Sequence, residues 1–166
     1  MHILDADEAT AMVNASVAAL PPQFDGCVMC ALASGEENVV CRTSKATVVL
    51  DRFASTRGHL LVVLNQHHEH LMRLEWSLYE AVQRLAWEAS RAIDRVLAPC
   101  RVYVASLGSP SQIAKSYPHL HLHVVPIFED GESARPARIF SWTQGVLIYE
   151  PHEARALAAE LAANWP

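Results

Sequence analysis

The chain has 166 residues, of which 51% are hydrophobic and 19% charged, with a formal net charge of −5. That length suffices for a buried core without a disulfide framework, and no run approaches the ~18 uncharged apolar residues that would span a bilayer. The shortage of lysine and arginine argues against a nucleic-acid polymer as partner, because such binding draws most of its energy from counterions displaced around phosphates. A small phosphorylated ligand stays open.

The N-terminal stretch "MHILDADEATAMVNASVAAL" is acidic, with no basic segment ahead of an apolar core, so it does not read as a secretion signal and a cytoplasmic protein is expected. Residues 5–20 carry an amphipathic helical pattern with Asp5 as the cap, and "LPPQFDG" breaks it. Cys27 and Cys30 in "CVMC" are the recognisable pair among the four cysteines, and in a reducing compartment such a pair is a metal or redox site more often than a disulfide. "NVVCRT", "ATVVLDRF" and "HLLVVLN" predict three strands separated by short turns, rich in β-branched residues.

From about Glu69 to Ala98, Leu71, Leu74, Leu78, Val82, Leu85, Ala89 and Val96 recur at helical steps with charged residues between them, which predicts the longest helix, stopped by Pro99. "RVYVASLG" and "LHLHVVPIF" predict two more strands, joined by the polar loop "SPSQIAKSYP". "GVLIYE" predicts another strand and "PHEARALAAELAANW" a final helix, with Pro151 acceptable in its first turn. Runs of strands around one long helix predict a single α+β domain over 1–166, an antiparallel sheet of about five strands with helices at both ends. Its core covers about residues 25–128, and 129–166 form a strand-and-helix extension.

Within "SYPHLHLHVVP", His119, His121 and His123 alternate with Leu120, Leu122 and Val124. On a strand, alternate side chains point to opposite faces, so the leucine face is expected to pack on a helix and the other to carry a row of imidazoles. Two chemistries suit that row: metal ligation, or neutral imidazoles that act as nucleophile and proton-handling groups near neutral pH.

"HLHLHVV" resembles the signature of the histidine triad (HIT) family. "LDRFASTRGHLLVVLNQHH" resembles that family's upstream segment, with Asp51, Gly58, His59 and His67 in register, and "CVMC" resembles the paired cysteines of its zinc-bearing members. The resemblance runs from about Cys27 to Phe128. It implies a nucleotidyl hydrolase or transferase that acts on a nucleoside phosphoramidate or dinucleoside polyphosphate, with His121 as nucleophile and a covalent nucleotidyl-histidine intermediate. His123 is then the donor to the phosphate oxygens, His59 the additional histidine beside the triad, Asp51 the ribose acceptor and Ser116 the phosphate contact.

The same resemblance implies a structural zinc ion held by Cys27, Cys30, His67 and His119, a closed Cys₂His₂ set. A thioredoxin-like redox pair at "CVMC" lacks the βαβ setting it needs, and His68 and His70 are read as solvated neighbours of His67. Where many members carry "GQS", this chain has Ala114, Lys115 and Ser116, so Lys115, Ser106, Gly108 and Gln112 are further candidates for contact with phosphate. Pro118 removes a backbone donor before the first histidine, so the strand begins after it. Beyond Phe128 the resemblance fades, leaving an accessory edge, a substrate lid or a dimer surface; Trp142 and Trp165 are read as packing residues. The family commonly forms homodimers, which is the partner expected besides the nucleotide. The other readings of the same residues are a nucleotide-binding regulatory module with little turnover, and a hydrolase with a catalytic metal on the histidine strand.

Overall fold

The computed structural model describes residues 1–108 and 117–166. The first helix, α1 (Ala6–Ala18), starts at Asp5, whose carboxylate accepts the backbone N–H groups of Asp7 and Glu8 at 2.9 Å while the Glu8 carboxylate accepts the Asp5 N–H at 3.2 Å. Such a reciprocal cap satisfies donors that the first helical turn leaves open, and is worth about 1 kcal/mol. A short helix absent from the sequence expectation follows, α2 (Val28–Ser34), with Cys27 as its cap residue. The cysteine spacing therefore spans the entry of a helix, and Cys30 N–H points at Cys27 Sγ at 3.4 Å.

The main sheet contains β2 (Val39–Arg42), β3 (Ala46–Leu50), β4 (Leu60–Leu64), β5 (Arg101–Ala105) and β6 (His121–Ile127), all antiparallel in the order β2-β3-β4-β6-β5. Every residue of β3 and β4 is buried, because both faces of the sheet are covered. That is why these strands read as unbroken apolar runs rather than as alternating ones. Val48, Leu60, Val62, Leu122 and Val124 face the long helix α3 (Trp76–Leu97) and the last helix α5 (Pro151–Ala163). Val49, Leu61 and Val63 face α1 and α2 on the other side.

The long helix starts at Trp76, seven residues after the predicted Glu69. The intervening segment is anchored elsewhere. His67 faces the cysteines, the His68 carbonyl accepts the Leu120 N–H at 2.6 Å, and Leu71–Arg73 form one 3₁₀ turn whose Leu71 is 51% exposed. Leu71 therefore continues the helical spacing by coincidence. The histidine strand is also shorter than predicted: β6 begins at His121, and His119 lies in the segment after Pro118. Pro126 sits inside β6 without breaking a ladder bond to β4, since that pairing ends at Leu60 opposite Val124 and Pro126 faces only Val102 of β5.

β7 (Val146–Ile148) is the predicted C-terminal strand, but it pairs with β1 (His2–Leu4) in a separate two-stranded sheet rather than joining the main one. Backbone bonds in both directions between Ala54 and Leu147 tie it to the turn after β3. The C-terminal segment also supplies the short helix α4 (Pro136–Ser141), whose Ile139 packs under Val125 and Ile127. Trp165 packs on the core, as expected, and its Nε1–H donates to Glu88 at 3.3 Å. Among the described residues no helix is long and apolar enough to cross a membrane.

Candidate active site and metal centre

Strand register assembles the histidines. Leu61 pairs with His123 and Val63 with His121, so His59, one alternation before Leu61, falls diagonally beside His123 on the face turned away from α3. Gly58 makes that placement possible. It sits at φ +84°, a Cβ there would collide with Leu97, and its N–H donates to the Tyr149 hydroxyl at 2.8 Å.

The imidazoles form one hydrogen-bonded chain whose ends fix its direction. The His119 carbonyl, which only accepts, takes the His121 Nδ1–H at 2.7 Å. His121 Nε2 then carries a lone pair, which accepts His123 Nε2–H at 3.1 Å. His123 Nδ1 in turn accepts His59 Nε2–H at 3.0 Å, and His59 Nδ1 accepts the Ser55 backbone N–H, which only donates, at 3.2 Å. With one proton per neutral ring, both ends demand the same set of tautomers. Burial pushes the His59, His121 and His123 pKa values down, His123 well below the usual value, where His59 and His121 add to the effect. The Asp51 carboxylate opposes the shift at His59 and His121, and at His121 the carbonyl bond opposes it more strongly. The chain is thus neutral near pH 7, with a basic nitrogen on His121.

Asp51 stands at the end of β3. Its Oδ1 accepts the Phe53 N–H at 2.9 Å, and its Oδ2 lies 3.4 Å from His59 Nδ1. These groups open on a cavity of about 670 Å³ lined also by Phe53, Tyr117, Phe140 and Trp142, a size suited to a small organic ligand. A smaller cavity of about 270 Å³ adjoins His119 and His121 and is lined by His70, Ser106, Gly108 and Pro118. His121 is common to both.

Cys27, Cys30, His67 and His119 bring one donor atom each to within 4.8 Å of one another. His119 Nδ1 is 3.4 Å from Cys27 Sγ and 3.3 Å from Cys30 Sγ, and His67 Nδ1 is 3.4 Å from Cys30 Sγ. Donors around a tetrahedral zinc ion, with bonds near 2.3 Å to sulfur and 2.0–2.1 Å to nitrogen, lie about 3.5 Å apart, so the set fits. The far ring nitrogens are oriented as a metal requires: His119 Nε2–H donates to the Leu64 carbonyl at 2.9 Å and His67 Nε2–H to Glu69 at 3.1 Å, leaving both Nδ1 atoms bare. Burial and the neighbouring Cys27 push the Cys30 thiol up to about 11, the reverse of what a redox-active pair needs. His68 and His70 are not part of the set.

Four predicted metal residues and four predicted nucleotide-site residues, His121, His123, His59 and Asp51, thus meet in two adjoining clusters. Gln112, Lys115 and Ser116 lie outside the described residues. Ser106 and Gly108 border the smaller cavity, beside the triad. The sequence did not mark Phe140 and Tyr117 as cavity walls, and Trp142 was expected to pack or to serve an interface, within a segment read as an accessory edge, a substrate lid or a dimer surface. Trp142 does lie 6.4 Å from the Phe53 ring, and Phe140 meets the His123 ring edge-on at 5.7 Å, but both also line the large cavity. The signal was two aromatics beside the turn residues "TQG", legible only once α4 is folded back on β6.

Residues 26–135 match the family model described as scavenger mRNA decapping enzyme C-term binding. Among solved structures, a hypothetical histidine triad nucleotide-binding protein of Sulfolobus tokodaii aligns with a TM-score of 0.65 at 16% identity, covering 83% of this chain and 91% of that one. A zinc-bound histidine triad family protein of Mycobacterium smegmatis aligns with a TM-score of 0.57 at 23% identity, covering 82% and 96%. A histidine triad protein of Bradyrhizobium japonicum aligns with a TM-score of 0.61 at 17% identity, covering 78% and 92%. No curated protein matches the sequence.

Proposed function

The chain belongs to the histidine triad family, and from that footing we propose that it is a nucleotidyl hydrolase or transferase, cleaving a dinucleoside polyphosphate or nucleoside phosphoramidate at the α-phosphate. The observation that carries this reading is the fixed hydrogen-bond chain, which leaves His121 Nε2 as a neutral, oriented nucleophile. In the resting chain that lone pair is occupied by the His123 N–H. A substrate phosphate oxygen takes over that N–H, which frees Nε2 and places a donor where negative charge gathers. Nε2 then bonds to phosphorus as the bond to the leaving oxygen or nitrogen breaks; the leaving group keeps the electron pair and takes up a proton. Water next attacks phosphorus, the P–N bond breaks with its electrons returning to His121, and the water's proton is lost to solvent, giving a nucleoside monophosphate.

His121 Nδ1–H stays on the His119 carbonyl through both steps, and Asp51 accepts the ribose hydroxyls. Ser116, Lys115 and Gln112 are assigned to phosphate contact on the family resemblance alone. Cys27, Cys30, His67 and His119 would hold a zinc ion, which would cross-link α2 to the segments after β4 and before β6 and, with four protein ligands, would serve structure rather than bind substrate. The exposed edge strand β5, with Val104 46% exposed, supports pairing of two copies into a homodimer, and the cytoplasm supplies the small-molecule nucleotides.

The test is a panel of dinucleoside polyphosphates, a cap dinucleotide and a nucleoside phosphoramidate, run on wild type and His121→Ala. Wild type should release a monophosphate, and the variant should fall to background with fold and zinc content intact. Turnover unchanged in His121→Ala sinks the nucleophile assignment.

A further inference from the structure

The Gly58 N–H is buried, and a buried backbone donor needs an acceptor. Its acceptor comes from far outside the turn: the Tyr149 hydroxyl at 2.8 Å, 91 residues away and beyond the family-matched residues 26–135. That hydroxyl is held on every side. The Tyr149 ring packs on the core shared by the sheet, α3 and α5. Two residues earlier Leu147 exchanges both backbone bonds with Ala54, and one residue later Glu150 caps α5, its N–H on the Glu153 carboxylate at 3.0 Å. The turn before His59 therefore hangs from the C-terminal segment at two points, Ala54 and Gly58.

His59 follows Gly58 directly, and its ring takes the Ser55 N–H on Nδ1 while giving its Nε2–H to His123 Nδ1. The second bond decides the His123 tautomer, because a neutral ring that accepts at Nδ1 keeps its proton on Nε2, the atom beside His121. We propose that Tyr149 is a positioning residue for the imidazole chain: by holding the Gly58 N–H it fixes His59, and through His59 it keeps the His123 proton on Nε2. It touches neither substrate nor the reacting atoms. Burial pushes its hydroxyl up to about 12, so it stays neutral while the histidines titrate and adds no ionisation of its own. The consequence for turnover rests on the nucleotide reading above; the tautomer does not.

The test is Tyr149→Phe in the whole chain, which deletes the acceptor and keeps the ring. Trp165→Phe is the control, since Trp165 lies in the same C-terminal segment and packs on the same core but reaches Glu88 rather than the turn. Imidazole nitrogen NMR, recorded without nucleotide, should show His59 and His123 of wild type protonated on Nε2 and bare on Nδ1. In Tyr149→Phe the two His123 nitrogen signals should move toward each other as tautomers mix, while Trp165→Phe keeps the wild-type pattern. The Gly58 amide should exchange with solvent slowly in wild type and about tenfold faster in Tyr149→Phe. On a substrate that wild type cleaves, Tyr149→Phe should lower kcat about 10- to 100-fold with KM nearly unchanged. Wild-type nitrogen signals in Tyr149→Phe overturn the positioning, as does the same change in Trp165→Phe, which would mark general loosening. Fast exchange of Gly58 in wild type overturns the bond itself and needs no variant. Altered tautomers with an unchanged kcat overturn the catalytic consequence. A wild type that cleaves nothing sinks the preceding reading, and the nitrogen signals still decide this one.

Discussion

His121 donates its Nδ1–H to the backbone carbonyl of His119 at 2.7 Å, while the His119 ring faces Cys27 and Cys30. One residue thus belongs to both clusters, its side chain to the Cys27–Cys30–His67 set and its main chain to His121. Removing the metal should therefore disturb catalysis without touching a residue that contacts substrate. Chelation, or Cys27→Ser, should lower kcat more than it raises KM. It should also remove about 3–5 kcal/mol of stability, a fall in Tm of roughly 10 °C. Metal analysis alongside thermal melts checks this; zinc content and Tm unchanged in Cys27→Ser would remove the assignment of that ligand.

Gly58 offers an independent handle on His59. A methyl at φ +84° is strained and also meets Leu97, so Gly58→Ala should lose about 1–3 kcal/mol and shift His59 away from His123. Denaturant melts report the first effect. The His59 and His123 ring signals in NMR report the second, and an unperturbed pair would show that the turn tolerates a side chain.

The alternation of His119, His121 and His123 and the Cys27–Cys30 pair were legible as short-range patterns, but only the resemblance to the histidine triad family joined His59, Asp51 and His67 to them and divided the row between two jobs. What the sequence concealed was decided by distant contacts. The helix start moved from Glu69 to Trp76 because residues 67–70 are held by His119 and Leu120, some fifty residues further along the chain. β1 escaped notice because three residues show no periodicity, and its partner β7 lies at the far end of the chain. The alternation placed His119 on the strand, yet Pro118 and the Leu120 bond to His68 keep it outside the ladder and turn it to the cysteines.

Buried neutral histidines make stability depend on pH in a set direction. The folded pKa values of His59 and His123 lie below the unfolded value of about 6.5, so above that pH neither state binds a proton and stability is flat. As pH falls below it, the unfolded chain takes up protons that the folded chain refuses, and stability drops until the folded pKa values are passed. The slope approaches about 1.4 kcal/mol per pH unit for each such group. Denaturant melts from pH 8 to 5 should show the decline beginning near 6.5, and His123→Gln should make it shallower. An identical slope in that variant would mean that His123 already takes up its proton in the folded protein.

Phe140 and Trp142 lie beyond the family-matched residues 26–135, yet they wall the cavity next to His123 and Phe53. Trp142 holds φ +61°, a conformation that side-chain-bearing residues adopt at some cost, with its carbonyl bonded to the Gly145 N–H at 3.0 Å. Under the proposed function, a nucleotide with its phosphate at His121 would extend its base along this wall, and stacking of a base on an aromatic ring is worth about 1–3 kcal/mol. Trp142→Ala should accordingly raise KM about 5- to 100-fold with kcat nearly unchanged, whereas His123→Ala should depress kcat. Trp142→Phe should recover most of the lost affinity, since it keeps a stacking face. Steady-state kinetics on the three variants, with calorimetric binding of a nucleoside monophosphate, separate the effects. Equal affinity in Trp142→Ala and wild type would reduce this wall to a packing partner of Phe53 and shift the base toward α1 and α2.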